Sequence, residues 1–117
     1  MVIPKLKSLT SPDLTPPALP NDPECFSIPF EAVVGPSTME GGDLFSFTAV
    51  SAGYLASQSR TTWGRGLLIV PDFSWPTIHS AMERLLNQAM RATWSEVATE
   101  LNKVLCWEFD NYQRAKA

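Results

Sequence analysis

Hydrophobic and polar residues alternate along the first half of the chain, as in β-strands with one buried face. Residues 2–8 alternate loosely around Pro4, which predicts an edge strand, because proline cannot donate a ladder hydrogen bond at the centre of a sheet. The alternation is clearer from residue 26 and again over 43–51, and the glycine- and proline-containing segment 35–42 separates these two runs. The sequence therefore predicts a β-hairpin. Its inward-facing residues are Phe26, Ile28, Phe30, Ala32, Val34, Phe45, Phe47 and Ala49.

Helical spacing replaces this alternation in the second half of the chain. Residues 52–57 predict a short helical turn, and the continuous apolar run 66–70 predicts a strand covered on both faces. Ser74 followed by Pro76 predicts a helix start, after which apolar residues recur every three or four positions to about Met90. The apolar face of this helix is wide enough to contact both the sheet and a second helix.

The second helix begins at a capping box, in which the Thr93 hydroxyl accepts from the Glu96 amide and the glutamate returns to the Thr93 amide. A pairing of Glu100 with Lys103 explains the next carboxylate, so neither glutamate is needed for acid–base chemistry. Together the elements predict a single α+β domain over residues 1–117. Its sheet is mainly antiparallel with about four strands, and two C-terminal helices pack on one face.

Composition narrows the class of protein without identifying a function. With 117 residues, 44% of them apolar and 18% charged, the chain is long enough to bury one core. Five prolines make segment 11–23 an extended surface loop. The net charge of −3 argues against a nucleic-acid-binding protein, which needs clustered Lys and Arg. Without a visible signal peptide or an apolar run of membrane-spanning length, we expect a cytoplasmic protein that binds neither nucleic acid nor membrane.

No set of catalytic or metal-binding residues is evident in the sequence. Cys25 and Cys106 are far apart and predict two buried thiols in a reducing compartment. One histidine and two distant cysteines match no zinc spacing, and no loop has the oxygen ligands of a calcium site, so we expect no metal and no cofactor. His79 has only Glu83 as a local carboxylate, which favours a histidine between the apolar and polar sides of the first long helix over a general base.

The turn before the apolar strand leaves two roles open. Gly64-Arg65-Gly66 precedes a strand, whereas a phosphate-binding loop follows a strand and opens a helix, so the glycines are expected to shape a turn. Arg65 either pairs with a carboxylate or faces a partner protein. Trp63 is either a core residue or an exposed anchor for a partner.

The C-terminal segment carries the most discriminating pattern. If it is extended, Trp107 and Phe109 point inward and seal the core. Glu108, Asp110 and Tyr112 then form an outward row of two carboxylates and a phenol. Aromatic and charged side chains in such a row make good interface anchors, so this row is a candidate partner-binding surface.

Several short blocks, in this order, resemble the immunity protein 8 family of bacterial polymorphic-toxin and contact-dependent-inhibition systems. The blocks are Leu6-Lys7-Ser8, Ser11-Pro12-Asp13, Phe26 to Pro36, Phe45-Ser46-Phe47-Thr48, Tyr54-Leu55-Ala56, Gly64 to Val70, Thr93 to Ala98, and Trp107-Glu108-Phe109 with Tyr112. Ser51-Ala52-Gly53 departs from the Thr-Pro type of turn expected before Tyr54.

The resemblance implies a cytosolic antidote without enzymatic activity that binds one cognate toxin domain and blocks it, with a nuclease among the candidate toxins. The surface that we expect to bind the toxin consists of Glu108, Asp110, Tyr112, Trp63 and Arg65. Two other interpretations remain open at this point. One is a small enzyme or ligand-binding domain with a pocket near His79, and the other is a structural subunit that self-associates through the first long helix.

Overall fold

The computed structural model of the chain describes residues 1–59 and 61–110, which form a five-stranded sheet with two long helices packed against one face. The strands are β1 (Pro4–Thr10), β2 (Ser27–Pro36), β3 (Asp43–Ser51), β4 (Leu67–Val70) and β5 (Cys106–Trp107). The helices are α1 (Ala52–Ser57), α2 (Trp75–Asn87) and α3 (Trp94–Leu101). The predicted α+β class is confirmed.

The sheet is antiparallel except at one edge. Strands β1, β2 and β3 are consecutive neighbours and pair antiparallel, whereas β4 pairs parallel with the second half of β3. A parallel neighbour needs a crossover connection, and here the segment containing α1 provides it. Strand β5 returns from the helices and pairs antiparallel with the first half of β3, where Trp107 lies opposite Phe45 and Cys106 opposite Ser46.

The core lies between the sheet and the helices α2 and α3. All eight residues that the hairpin pattern predicted to face inward are buried. Phe30 stacks on Phe47 with ring centroids 5.4 Å apart, and Phe73 meets Phe26 edge to face at 5.2 Å. The helices contribute Ile78, Met82, Leu86, Val97, Ala98 and Leu101. The wide apolar face of α2 is therefore part of the core.

Both long helices begin as their sequences predict. The Ser74 hydroxyl accepts a hydrogen bond from the Thr77 amide at 3.3 Å, and the Thr93 hydroxyl accepts from the Glu96 amide at 3.2 Å. The Glu96 carboxylate accepts from the Thr93 hydroxyl at 3.0 Å, in place of the amide contact predicted for a full capping box. Helix α2 ends at Asn87, before the predicted end near Met90.

The predicted burial of the 66–70 strand on both faces and of the two cysteines is wrong. The strand at 66–70 is not covered on both faces, because β4 lies at an edge of the sheet and Ile69 on its outer face is 57% exposed. Cys25 and Cys106 are both free and exposed. Cys25 lies in the loop before β2, and Cys106 pairs with Ser46 and shares its side of the sheet, opposite to the core.

The proline-rich loop 11–23 lies against the start of α2. The Trp75 indole donates to the Ala18 carbonyl at 2.8 Å, and the Phe73 amide donates to the Pro23 carbonyl at the same distance. These bonds attach a segment without regular structure to the body of the protein.

Candidate functional site

Three of the five predicted partner-binding residues lie where the 64–66 turn, the end of α3 and β5 meet, namely Arg65, Glu108 and Asp110. A fourth, Trp63, precedes Arg65 by two positions in the chain. We call this place the C-terminal corner and define it as Trp63, Arg65, Asn102 and residues 107–110. The fifth residue, Tyr112, lies outside the described residues.

The glycine of the turn places Arg65 at this corner. Gly66 has φ +81°, a left-handed conformation that favours glycine, and its amide donates to the Val104 carbonyl at 2.9 Å. The turn is thereby bonded to the segment that follows α3. The predicted turn-forming role of the glycines is confirmed at Gly66.

Asn102, the C-cap residue of α3, connects the two charged residues at the corner. Arg65 donates from Nη2 to the Asn102 side-chain oxygen at 2.6 Å and from Nε to the Asn102 carbonyl at 3.0 Å. The side-chain nitrogen of Asn102 donates to the Asp110 carboxylate at 2.9 Å. The side-chain oxygen of Asn102 also accepts from the backbone amide of Trp107 at 3.0 Å. Arg65 and Asp110 are therefore held on either side of one asparagine.

The side chain of Arg65 bonds to Asn102 and Leu105 oxygens and not to a carboxylate of the described residues, while its predicted role of facing a partner stays a prediction. Its side chain contacts carbonyl oxygens at the end of α3, including that of Leu105 at 3.3 Å, while the residue as a whole is exposed. A cation near the C-terminus of a helix interacts favourably with the helix dipole. Arg65 therefore stabilises the corner while the residue stays exposed.

Glu108 closes the edge of β3 beyond β5. Its amide donates to the Leu44 carbonyl at 3.0 Å, and its carboxylate accepts from the Leu44 amide. Glu108 thus satisfies both backbone groups of Leu44, and the residue is still exposed to solvent. The chain turns at Glu108 and Phe109, so residues 108–110 do not continue β5 as the predicted extended row.

The aromatic residues of the corner range from half-buried to fully accessible. Trp63 is 95% exposed, which decides between its two predicted roles in favour of the exposed position. Trp107 is half-buried and stacks on Phe45 at 6.4 Å, as predicted for an inward residue. Phe109 was predicted to face inward but is 40% exposed, because it leans edge-on against Trp107 at 5.8 Å instead of entering the core.

Sequence reasoning missed the two residues that organise this region. Asn102 follows the last apolar residue of α3, where asparagine is a common helix-ending residue, but that signal does not predict four hydrogen bonds. Asp43 accepts from the indoles of both Trp94 and Trp107. Nothing near Asp43 in the sequence indicates these partners, since they are 51 and 64 positions away.

One ion-pair cluster lies beside the corner on the helices. Glu100 of α3 pairs with Lys103 at 3.1 Å, as predicted, and also with Arg91 at 2.9 Å. Hydrogen bonds from Lys103 and then Arg91 lower the pKa of the Glu100 carboxyl below its ordinary value. This carboxylate is thus used in an ion-pair network.

His79 lies away from the corner, in a shallow cavity of about 300 Å³. Apolar side chains form the rest of its lining, namely Leu9, Pro16, Trp75 and Pro76. Among the described residues, this lining brings neither a nucleophile nor a carboxylate to His79. A second cavity of about 110 Å³ is lined by apolar residues alone, from β3, β4, α2 and the segment after α3. Neither lining is a set of cofactor ligands.

Residues 1–59 and 61–110 also show neither a metal site nor a membrane-spanning helix. No group of three or more His, Cys, Asp or Glu side chains there is placed to hold a metal ion. In the same part of the chain, none of the helices has both the length and the apolar character that crossing a bilayer requires.

The comparisons with known proteins give one match. A protein-family model described as Immunity protein 8 matches residues 4–112, which is nearly the whole chain and includes the entire C-terminal corner. Neither the curated proteins nor the solved structures contain a match.

Proposed function

The chain belongs to the immunity protein 8 family, and on that premise we propose that it neutralises its toxin by binding it through the C-terminal corner. Family membership implies an immunity protein whose partner is a cognate toxin. The finer part of the proposal is that the corner contacts the C-terminal toxin domain of a bacterial polymorphic or contact-dependent inhibition system, inside the cytoplasm. The protein then acts as a stoichiometric inhibitor and not as an enzyme.

The observation that carries this proposal is the exposure of Trp63. A tryptophan that is 95% exposed leaves a large apolar surface in water, which is unfavourable unless a partner covers it. Tryptophan is also the residue type most enriched among the side chains that dominate binding energy at protein interfaces. Phe109, 40% exposed, is a second aromatic side chain of the corner with apolar surface left in water.

The charged residues around these aromatics suit the rim of an interface. Arg65, Glu108 and Asp110 hold their positions through hydrogen bonds within the chain. Side chains that are ordered before binding lose less conformational entropy when the complex forms. Glu108 and Asp110 would complement a basic toxin surface, which is what a nuclease offers to its phosphate-bearing substrate, so a nuclease is our preferred class of toxin.

Co-expression with the neighbouring toxin tests the proposal. We define the neighbouring toxin domain as the C-terminal domain encoded by the open reading frame directly upstream. Wild-type protein should restore growth of cells that produce this domain and should co-purify with it. If the toxin stays fully lethal in the presence of soluble wild-type protein, the antitoxin function is wrong.

The surface is tested in the same assay with Trp63→Ala against a matched control. Leu19→Ala removes another exposed apolar side chain, in the proline-rich loop outside the corner. We expect weaker protection with Trp63→Ala and full protection with Leu19→Ala. Equal protection by the two variants would mean that the toxin binds elsewhere.

A further inference from the structure

Asp43 holds two distant tryptophans with one carboxylate oxygen. Its Oδ2 atom accepts from Nε1 of Trp94 at 2.9 Å and from Nε1 of Trp107 at 3.1 Å. A carboxylate oxygen has two lone pairs, so it accepts both hydrogen bonds without leaving either indole unpaired. All three residues are half-buried, and hydrogen bonds to an ionised acceptor are stronger than those between neutral groups.

These two bonds hold both ends of segment 94–107, which contains Asn102 and leads into the C-terminal residues of the corner. Trp94 is the first residue of α3, and Trp107 is the last residue of β5. Between them lies Asn102, which bonds to Arg65 and Asp110. Asp43 is itself the first residue of β3, so it attaches the start of α3 and the end of β5 to the same point on the sheet.

The position of Trp107 sets the positions of the partner-binding residues that follow it in the chain. Its ring lies between Phe45, on which it stacks, and the edge of Phe109. Glu108 follows it in the chain and bonds to Leu44, the residue next to Asp43. If the indole of Trp107 lost its acceptor, the polar N–H would be left unpaired in a half-buried site, which is unfavourable. The ring would then shift toward water and move Glu108 and Phe109 with it.

We propose that Asp43 is the positioning residue of the toxin-binding corner, acting through the Trp107 indole on Glu108 and Phe109. This inference rests on the proposed function of the corner. Asp43 itself does not contact the toxin in this arrangement. It sets the geometry of residues 107–110 before the toxin arrives.

The first test compares Asp43→Leu with Asp43→Asn by NMR and by calorimetry. Asparagine keeps an acceptor oxygen at this position, whereas leucine removes it and retains side-chain volume. In ¹⁵N-labelled protein, the indole N–H signals of Trp94 and Trp107 should move in Asp43→Leu, while those of Trp63 and Trp75 stay in place. Asp43→Asn should keep all four near their wild-type positions.

Affinity for the inactivated neighbouring toxin domain should follow the same order. We expect Asp43→Leu to bind roughly tenfold more weakly, as for the loss of hydrogen bonds to a charged group, and Asp43→Asn to bind within about threefold of wild type. Trp107→Phe is a second variant that removes the hydrogen bond between Asp43 and residue 107. It removes the indole donor but keeps a ring against Phe45, so it should also weaken binding even if Asp43→Leu does not fold.

A double-mutant cycle separates positioning from general destabilisation. If Asp43 acts through residues 107–110, Glu108→Ala should weaken binding in wild type but add little in the Asp43→Leu background. Trp63→Ala, in the segment that leads into the 64–66 turn, should add its full effect in both backgrounds. Additive losses for Glu108→Ala would overturn the positioning role.

The outcomes distinguish this inference from the proposed function. If wild type binds the toxin domain and both Asp43→Leu and Trp107→Phe bind equally well, the positioning role is wrong and the antitoxin function stands. If wild type does not bind, both are wrong. Unchanged indole signals in a folded Asp43→Leu protein would refute the hydrogen-bonded arrangement itself.

Discussion

The core and the C-terminal corner both depend on aromatic side chains, but they place these side chains in opposite environments. Phe30 has no exposed surface and lies between Phe47 at 5.4 Å and Trp75 at 5.6 Å. At the corner, Trp63 is almost fully exposed and Phe109 has only Trp107 as its aromatic neighbour among the described residues. Phe30 is fully covered by contacts within the chain, whereas Trp63 and Phe109 have apolar surface left for a partner.

The two regions are also held together by different interactions. The core depends on apolar packing, in which each side chain contributes according to the area that it buries. The corner depends on hydrogen bonds that Asn102 makes with Arg65 and Asp110 and that Glu108 makes with Leu44. These bonds hold side chains in position more than they stabilise the fold. Stability and toxin binding should therefore respond to different substitutions, and the predictions below test that separation.

The largest effect is expected from Phe30→Ala. Removing a fully buried phenylalanine leaves a cavity between sheet and helices, and such truncations cost about 3–5 kcal/mol of unfolding free energy. Urea denaturation followed by tryptophan fluorescence would measure the loss. Toxin affinity per folded molecule should stay close to that of wild type.

Phe109→Ala is the matched control, because it deletes the same side chain from the corner. Its stability should change by less than about 1 kcal/mol, since Phe109 is partly exposed. A larger loss from Phe109→Ala than from Phe30→Ala would contradict the division between the two regions.

Trp63→Ala should give the converse result. We expect a loss of about 2 kcal/mol or more in binding to the neighbouring toxin domain, the magnitude typical of a tryptophan at the centre of an interface. Its unfolding free energy should change by no more than about 0.5 kcal/mol, because the side chain is exposed. Isothermal titration calorimetry measures the binding free energy, and urea denaturation of the same preparation measures the unfolding free energy. A loss of stability without a loss of binding would contradict the prediction.

Asn102→Ala should affect both properties, because Asn102 supports the corner and also caps α3. Losing its side chain leaves Arg65 and the Trp107 amide without one partner each, at a cost of about 1–2 kcal/mol in stability. Asn87→Ala, at the exposed last position of α2, serves as the control and should change stability by less than about 0.5 kcal/mol. Equal stability of the two variants would show that the asparagine does not organise the corner.

The difference between the regions also explains how much the sequence could predict. Alternation over 26–34 and 43–51 predicts the buried face, because successive strand residues point to opposite sides. Ser74 and Thr93 predict the helix starts, because their hydroxyls bond to amides only three residues away. Signals of this kind are local, so they can be recognised in the sequence without knowledge of the tertiary structure.

The features that could not be predicted depend on segments far apart in the chain. Whether Ile69 is covered depends on what lies next to β4, and an apolar run looks the same at the edge of a sheet as at its centre. Asp43 and Asn102 are ordinary polar residues until the fold brings Trp94, Trp107 and Arg65 to them. Trp63 could be recognised as important but not placed, because exposure is a property of the whole fold.

The smallest expected effect concerns Glu100, whose ion pairs lie beside the corner. Since Lys103 and Arg91 lower its pKa in the folded protein, the folded state holds the Glu100 proton less tightly than the unfolded state. The stabilisation is therefore complete above the unfolded pKa of about 4.3 and disappears as the pH falls through the lower folded value. Glu100→Gln should be slightly less stable than wild type at pH 7, and the difference should shrink as the pH falls below the unfolded pKa of about 4.3, or in roughly 1 M salt.

Glu83→Gln is the control for this effect, because it neutralises an exposed glutamate on α2 that has no ion pair within residues 1–59 and 61–110. Urea midpoints measured for both variants at pH 7, 4 and 3 would separate the ion-pair contribution from the general effect of removing a negative charge. A Glu100→Gln deficit that persists unchanged at pH 3 would mean that the glutamate stabilises α3 through packing. Toxin affinity should be the same for both variants, because this network supports the helix and does not belong to the corner.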